Sequence, residues 1–323
     1  MPARSDSRLP IRTARVLRPF GARAGEGHSI TLSDMDTVLD PLAPTSCGVW
    51  SAGGVRVRRR THLHHANLAD AVCTERFCAY RSGALLTVEH DLEPDELCDD
   101  LAVQLAEHLV DTGAVRDQAE FELVFVGVVR STVEGAWPAW LQFYRNSLAR
   151  LERGATAFAP VHERAAELVR GHSLVDLGSC FGFFPLRMSL RGCAVTATDI
   201  SGPTMDLLQL AGMDLRRPLD TLQCDATDVP LPDGYADTVT ALHLLEHLPD
   251  DLIDAALREA VRVARRRVVV AVPFEQEPRK CYGHIQRFDL TRLRQLGDGL
   301  CSENLCLTAT VDEYHGGWLV LDR

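Results

Sequence analysis

The chain has 323 residues, of which 46% are apolar, with 34 Lys and Arg against 45 Asp and Glu and a net charge of −11. That length suits one large domain plus a smaller one with a sizeable core. The acidic balance argues against a nucleic-acid substrate, which needs clustered cations on one face, and no apolar run reaches the length of a membrane span.

Residues 1–45 are rich in Arg, Pro, Gly and Ser and read as a loosely ordered segment. They lack the apolar stretch of a secretory signal, so a cytoplasmic protein is expected. Residues 46–135 alternate strand-like and helix-like patterns, as in a small α+β domain. Val55 to His65 alternates polar and apolar residues, Ala84 to Glu89 reads as a strand, and Glu93 to Val110 as a helix. Phe121 to Val129, FELVFVGVV, is apolar throughout and is expected as a strand. Arg56 and Arg58 to Arg60 read as a solvated strand face.

His62, His64, His65, Cys73 and Cys78 form the one constellation in this half that resembles a metal site. The Cys-x4-Cys spacing is wider than the usual zinc pair. An exposed histidine-rich strand followed by core cysteines is the expectation, with no zinc. The ten cysteines show no framework spacing and are expected as reduced thiols.

Residues 136–160 read as a connecting helix and joint. Ala136 to Arg153 is amphipathic, with Trp137, Trp140, Phe143 and Tyr144 expected to pack into a core. Residues 161–323 then repeat strand and helix. Val161 to Arg170 is a helix and Ser173 to Leu177 a buried strand. A glycine turn follows, Phe183 to Leu190 is a helix, and Ala194 to Ile200 is a second strand. Pro203 to Gly212 and Asp250 to Ala264 are helices. Thr221 to Ala226, Ala236 to Leu245 and Arg267 to Pro273 are strands. Arg262 and Arg265 to Arg267 suit a helix C-terminus, where cations meet the dipole. Asp289 to Leu296 is a helix, and Asn304 to Asp312 and Trp318 to Asp322 form a closing antiparallel pair. Ligands in such open sheets lie at the carboxyl ends of the strands, near the switch point. Lys280 is the only lysine, which excludes a phosphate-binding P-loop.

The turn after the first strand of this half is D-x-G-x-x-x-G, with Asp176, Gly178, Ser179 and Gly182. Glycine permits a turn where a side chain would clash and lets a helix start close to a ligand. Asp199 follows about 20 positions later at the tip of the next strand, where a carboxylate accepts from both ribose hydroxyls. A dinucleotide enzyme would show G-x-G-x-x-G. Here an acid opens the turn, which would repel a pyrophosphate and could hold a cationic amino-acid moiety. The stretch resembles motif I of the class I S-adenosylmethionine-dependent methyltransferases, with Cys180 in place of the middle glycine of their commoner D-x-G-x-G-x-G.

The resemblance implies a Rossmann-like α/β sheet of seven strands, the last pair antiparallel, with S-adenosylmethionine as cofactor. It places Asp176, Gly178, Ser179, Gly182, Asp199, Ile200, Asp225, Ala226 and His243 in the cofactor site. Asp225 and Ala226 would meet the adenine.

Methyl transfer mainly needs donor and acceptor aligned. An alcohol acceptor must also lose a proton, so a base helps. His243 and His247 lie in HLLEH and His284 in GHIQRFD. His284 and His243 are the candidate catalytic bases, and His247 is expected to bond backbone. Glu246 and Glu275 could instead help bind a divalent cation that acidifies a hydroxyl, and the sequence does not decide this. H-x-x-E-H as a zinc-protease string is rejected, because it lies at a strand end and not on a helix.

VVRSTV, FYRNSLARLERG and VDLGSCFGFFPLR are similar to the methyltransferases of mycofactocin gene clusters. Those act on the oligoglucose chain of a peptide-derived redox cofactor. That resemblance implies O-methylation of a sugar hydroxyl on a glycosylated peptide-derived acceptor. A lipid or quinone acceptor is the alternative within the class. A nicotinamide dehydrogenase lacks its G-x-G-x-x-G here. A silent binding module would have lost Asp176, Gly178 or Asp199, and all three are present.

Overall fold

The computed structural model describes residues 40–43, 48–60 and 71–323. His62, His64 and His65 lie outside the described residues.

Strands β1 (Val49–Ala52), β2 (Val55–Arg59), β3 (Val72–Cys73), β4 (Phe77–Ser82) and β5 (Leu85–His90) form a sheet in the order β1-β2-β5-β4-β3. β2 and β5 run parallel, and the other pairs are antiparallel. Val55 and Val57 point into the core. The arginines of this strand are more than a solvated face. Arg58 pairs with the Glu89 carboxylate, and so does Arg60 just beyond the strand, while the Glu89 side chain is only 5% exposed. Cys73 and Cys78 oppose each other across β3 and β4 and form a disulfide. This corrects the expectation of thiols throughout: strand pairing brings the two sulfurs together where spacing alone showed nothing.

A short 3-10 turn at Pro94–Glu96 precedes α1 (Leu101–Leu105), which continues as a π-helical turn, Ala106–Val110. The helix expected over 93–110 is thus interrupted. The larger correction concerns FELVFVGVV, which lies within helix α2 (Gln118–Thr132) and not in a strand. An all-apolar run has no period to separate helix from strand. Its start does: the Asp117 carboxylate accepts from the backbone N–H of Glu120 at 2.9 Å, a helix N-cap. Both sides of α2 are covered, by β1 and β2 on one and by α3 (Ala136–Glu152) on the other. Trp140, Phe143 and Tyr144 of α3 are fully buried, as their spacing predicts. Helix α4 (Ala159–Leu168) leads into the second sheet.

That sheet contains β6 (Ser173–Leu177), β7 (Ala194–Asp199), β8 (Asp220–Gln223), β9 (Ala236–Leu242), β10 (Ala264–Val272), β11 (Thr308–Glu313) and β12 (Gly317–Asp322). Helices α5 (Phe183–Leu190), α6 (Gly202–Asp214), α7 (Asp250–Val263) and α8 (Leu290–Ser302) connect them. The order is β11-β12-β10-β9-β6-β7-β8. β6 to β10 pair in parallel, and β12 is antiparallel to both neighbours. This is the seven-stranded Rossmann-like sheet with a closing antiparallel pair that the sequence resemblance implies, preceded by a smaller sheet with its own helices. The chain reverses direction across the sheet between β6 and β9, so the switch point lies at their carboxyl ends. One apolar cluster joins Trp50 and Val57 of the first sheet, Phe125 and Trp140 of the helices, and Leu174 and Trp318 of the second. The described residues form one compact unit.

Candidate functional site

The turn after β6 is built around a buried acid. Asp176 is 4% exposed, and burial pushes its carboxyl up to about 6. Ser179 donates to Oδ2 at 2.8 Å, and the Thr240 hydroxyl donates to Oδ1. Both carboxylate oxygens therefore serve to tie the turn to β9. In this arrangement each Asp176 oxygen accepts one hydroxyl and keeps a further lone pair for another donor.

Gly178 has φ 65°, and a Cβ there would lie 2.6 Å from Leu244 Cδ1. Gly182 has φ 68°, with a Cβ position 2.3 Å from Leu208 Cδ2. Glycine is required at both. Cys180, at the place of the commoner middle glycine, also has a left-handed φ, 48°. The turn keeps the backbone form that glycine would adopt and carries the strain of a side chain there.

Asp199 ends β7. The Cys180 N–H donates to its Oδ2 and the Ser201 N–H to its Oδ1, both at 2.9 Å. Two backbone donors from the two adjoining loops thus fix the carboxylate. Ile200 beside it is 71% exposed, an apolar side chain open at the strand tips. Asp225 lies just past β8, and its Oδ1 accepts from the N–H and the hydroxyl of Thr227, each at 2.8 Å. This turn presents Asp225 and Ala226 beside Asp199, to which Cys224 is hydrogen-bonded through the backbone at 3.0 Å.

The ends of β9 and β10 bring the remaining candidates together. His243 has φ 57°, and its N–H donates to the Ala271 carbonyl at 2.8 Å. Its Nδ1 lies 3.0 Å from Glu246 Oε1, in a geometry that makes no hydrogen bond, and its Nε2 is buried without a partner. Phe158 packs edge-on against the ring at 5.2 Å. Glu246 is fully buried, and neither carboxylate oxygen has a hydrogen-bond partner. The N–H groups of Ile285 and Gln286 donate to the Glu246 carbonyl at 2.8 and 3.1 Å, which pins the β10–α8 loop to the end of β9. That loop carries His284, which is 8% exposed, with Nδ1 3.0 Å from both oxygens of Glu275. His247, whose side chain is exposed, packs edge-on against His284 at 4.9 Å between ring centroids.

A cleft of about 440 Å³ opens beside Asp199 and Ser201. Phe121 and Phe125 of α2, Trp140 of α3, Phe181 and Tyr282 line it. Phe121 and Phe125 lie in the segment misread as a strand, so the sequence offered no route to this wall. Thr240 was missed as well, because a threonine within an apolar strand carries no signal until its partner is known.

Residues 175–272 match the family model described as a methyltransferase domain. Over 106 residues the chain is 33% identical to the ubiquinone biosynthesis O-methyltransferase of Azotobacter vinelandii, covering 29% of this chain and 44% of that protein. It is 31% identical over 106 residues to the protein of the same name from Chromobacterium violaceum, with the same coverage. The chain therefore spans less than half the length of these curated relatives. Among solved structures, magnesium protoporphyrin IX methyltransferase from Synechocystis with bound S-adenosylmethionine gives a TM-score of 0.40 at 15% identity, over 57% of this chain and 83% of that one. A methyltransferase of Aquifex aeolicus gives 0.40 at 16%, over 55% and 97%. Residues 175–272 are thus similar to a methyltransferase domain, and the strands around them have the order and directions that the resemblance to class I, S-adenosylmethionine-dependent methyltransferases implies.

Proposed function

We propose that the protein transfers the methyl group of S-adenosylmethionine to a hydroxyl of a small acceptor. The observation that carries this reading is Asp199, held by two backbone N–H groups at the tip of β7, beside exposed Ile200, within a methyltransferase-domain match. Gly178, Ser179 and Gly182 shape the turn against which the methionine part lies. Asp199 takes the ribose hydroxyls, Ile200 and Ala226 flank the adenine, and Asp225 accepts from its amine. His243 borders the sulfonium. In the transfer a lone pair on the acceptor oxygen forms the new O–CH3 bond. The S–CH3 bonding pair returns to sulfur, and the hydroxyl proton passes to His284 or His243.

The acceptor we favour is a sugar hydroxyl, the oligoglucose chain of mycofactocin, on the strength of VVRSTV and FYRNSLARLERG. In this reading residues 46–135 form a small domain that shares its core with the rest, and 136–160 a connection. Together they wall the acceptor side of a cofactor domain at 161–323. A quinone-type phenol is the second reading, favoured by the ubiquinone O-methyltransferases among the relatives and by the aromatic cleft wall. Labelled S-adenosylmethionine separates them. Incubated with the full chain, label on an oligoglucose acceptor supports the first and label only on a demethylated quinone precursor the second. Absence of S-adenosylmethionine binding would overturn both.

A further inference from the structure

We propose that Glu246, His247 and His284 hold a divalent first-row metal ion at the carboxyl end of β9, and that this ion binds the acceptor hydroxyl. One donor atom from each of the three lies within 4.8 Å of the others. Glu246 supplies the independent reason: a fully buried carboxylate with no partner on either oxygen is costly unless a cation or proton meets it. The nearest imidazole, His243, sits at 3.0 Å without making a hydrogen bond.

The surroundings have the form of a metal site's support. A ligating histidine gives its second ring nitrogen to a carboxylate, which fixes the ring and raises its basicity. His284 has that arrangement, Nδ1 against Glu275, which leaves Nε2 for an ion. The two hydrogen bonds to the Glu246 carbonyl hold the His284 loop in register with β9. Donors around an ion at about 2.1 Å stand roughly 3–3.5 Å apart. The three must therefore close in slightly, and His247, with an exposed side chain, is free to swing inward. Two imidazoles and one carboxylate suit Zn²⁺ or Mn²⁺ better than Mg²⁺ or Ca²⁺, which take oxygen.

Three protein ligands leave positions open for substrate oxygen, and Tyr282 packs on His284 while lining the aromatic cleft. An ion there lowers the pKa of a bound hydroxyl, as it does for bound water. His284 is then a ligand, and His243, with its unpartnered Nε2, is left to take the proton. This role rests on the methyltransferase reading; the ion site itself does not.

The test is calorimetric titration of the full chain, cleared of metal by chelator, with Zn²⁺ or Mn²⁺ alone. One equivalent is expected in the wild type. It should be lost in Glu246→Gln and weakened about 10–100-fold in Glu275→Gln. His247→Gln, at an exposed position, repeats the loss should Glu246→Gln fail to fold, and circular dichroism reports the fold of each variant. A wild type that takes up no ion overturns the site, as does an equivalent that survives in both Glu246→Gln and His247→Gln. Ion binding is read without donor or acceptor, so one bound equivalent in a chain that does not bind S-adenosylmethionine would sink the methyltransferase reading and leave the site standing.

Discussion

Asp199 and His284 carry the two residue-scale expectations, one for binding and one for rate. In the proposed function Asp199 accepts from the ribose hydroxyls; Asp199→Ala removes that acceptor and frees the N–H groups of Cys180 and Ser201. S-adenosylmethionine should bind more weakly by about 2 kcal/mol or more, with the thermal unfolding profile retained. Calorimetry showing wild-type affinity would remove Asp199 from the site. His284→Ala should lower turnover by roughly 10²–10⁴-fold, whether the ring takes the proton itself or holds the ion that acidifies the hydroxyl, and leave S-adenosylmethionine affinity nearly unchanged. His247→Ala should cost less if the ring only bonds backbone, and as much if it is a ligand. Rates equal to wild type in both the His284 and His243 variants would leave alignment of donor and acceptor as the source of catalysis.

At the scale of elements, helix α2 joins the small sheet to the cofactor domain. Gly127 sits where α2 crosses β1 and β2: a Cβ there would lie 2.3 Å from Val57 Cγ2 and 2.8 Å from Trp50 Cε3. Gly127→Ala favours the helix by up to about 1 kcal/mol. Overpacking between two buried neighbours costs roughly 1–3 kcal/mol. The clash should win, so urea unfolding should shift to lower concentration. An unmoved or raised midpoint would mean that α2 is not clamped to the sheet. The opposite face of α2 contributes Phe121 and Phe125 to the cleft, so the same variant should also weaken acceptor binding. The turn after β6 shows the complementary case. Its geometry was legible from Gly178 and Gly182, because only backbone freedom and close approach demand glycine there.

For the whole molecule, buried titratable groups act in opposite directions. Burial holds His90 and His162 down to about 3, so each is neutral in the fold. A histidine so depressed contributes stability above about pH 6.5 and loses it as pH falls toward 3, at up to about 1.4 kcal/mol per pH unit. Burial raises Asp99 and Asp176 to about 6. A raised carboxyl binds its proton more tightly when folded, so its contribution increases as pH falls from 6 to about 4. The two effects nearly cancel between pH 6 and 4, and the histidines prevail below. Thermal unfolding should therefore vary little from pH 6 to 4 and drop steeply under 4. Asp99→Asn, which mimics the protonated acid, should gain stability at pH 7 and not at pH 4. Equal shifts at both values would show that Asp99 ionises normally.

The sequence by itself determined the cofactor half. Ser173 to Leu177, D-x-G-x-x-x-G and Asp199 are consecutive along one strand-turn-helix-strand unit, so local rules fix their relative positions. The count of seven strands and the closing antiparallel pair followed from the resemblance, while the strand order is a property of the folded sheet. Other features needed the tertiary structure. FELVFVGVV has no period, and only its burial between a sheet and a helix decided that it coils. The Cys73–Cys78 bond depended on which strands pair. His284 and Glu246 lie on different loops, and hydrogen bonds to one carbonyl brought them together. That Glu246 is a buried carboxylate without a hydrogen-bond partner, and not a surface acid, is a property of what surrounds it; a sequence lists neighbours along the chain and is silent on those across it.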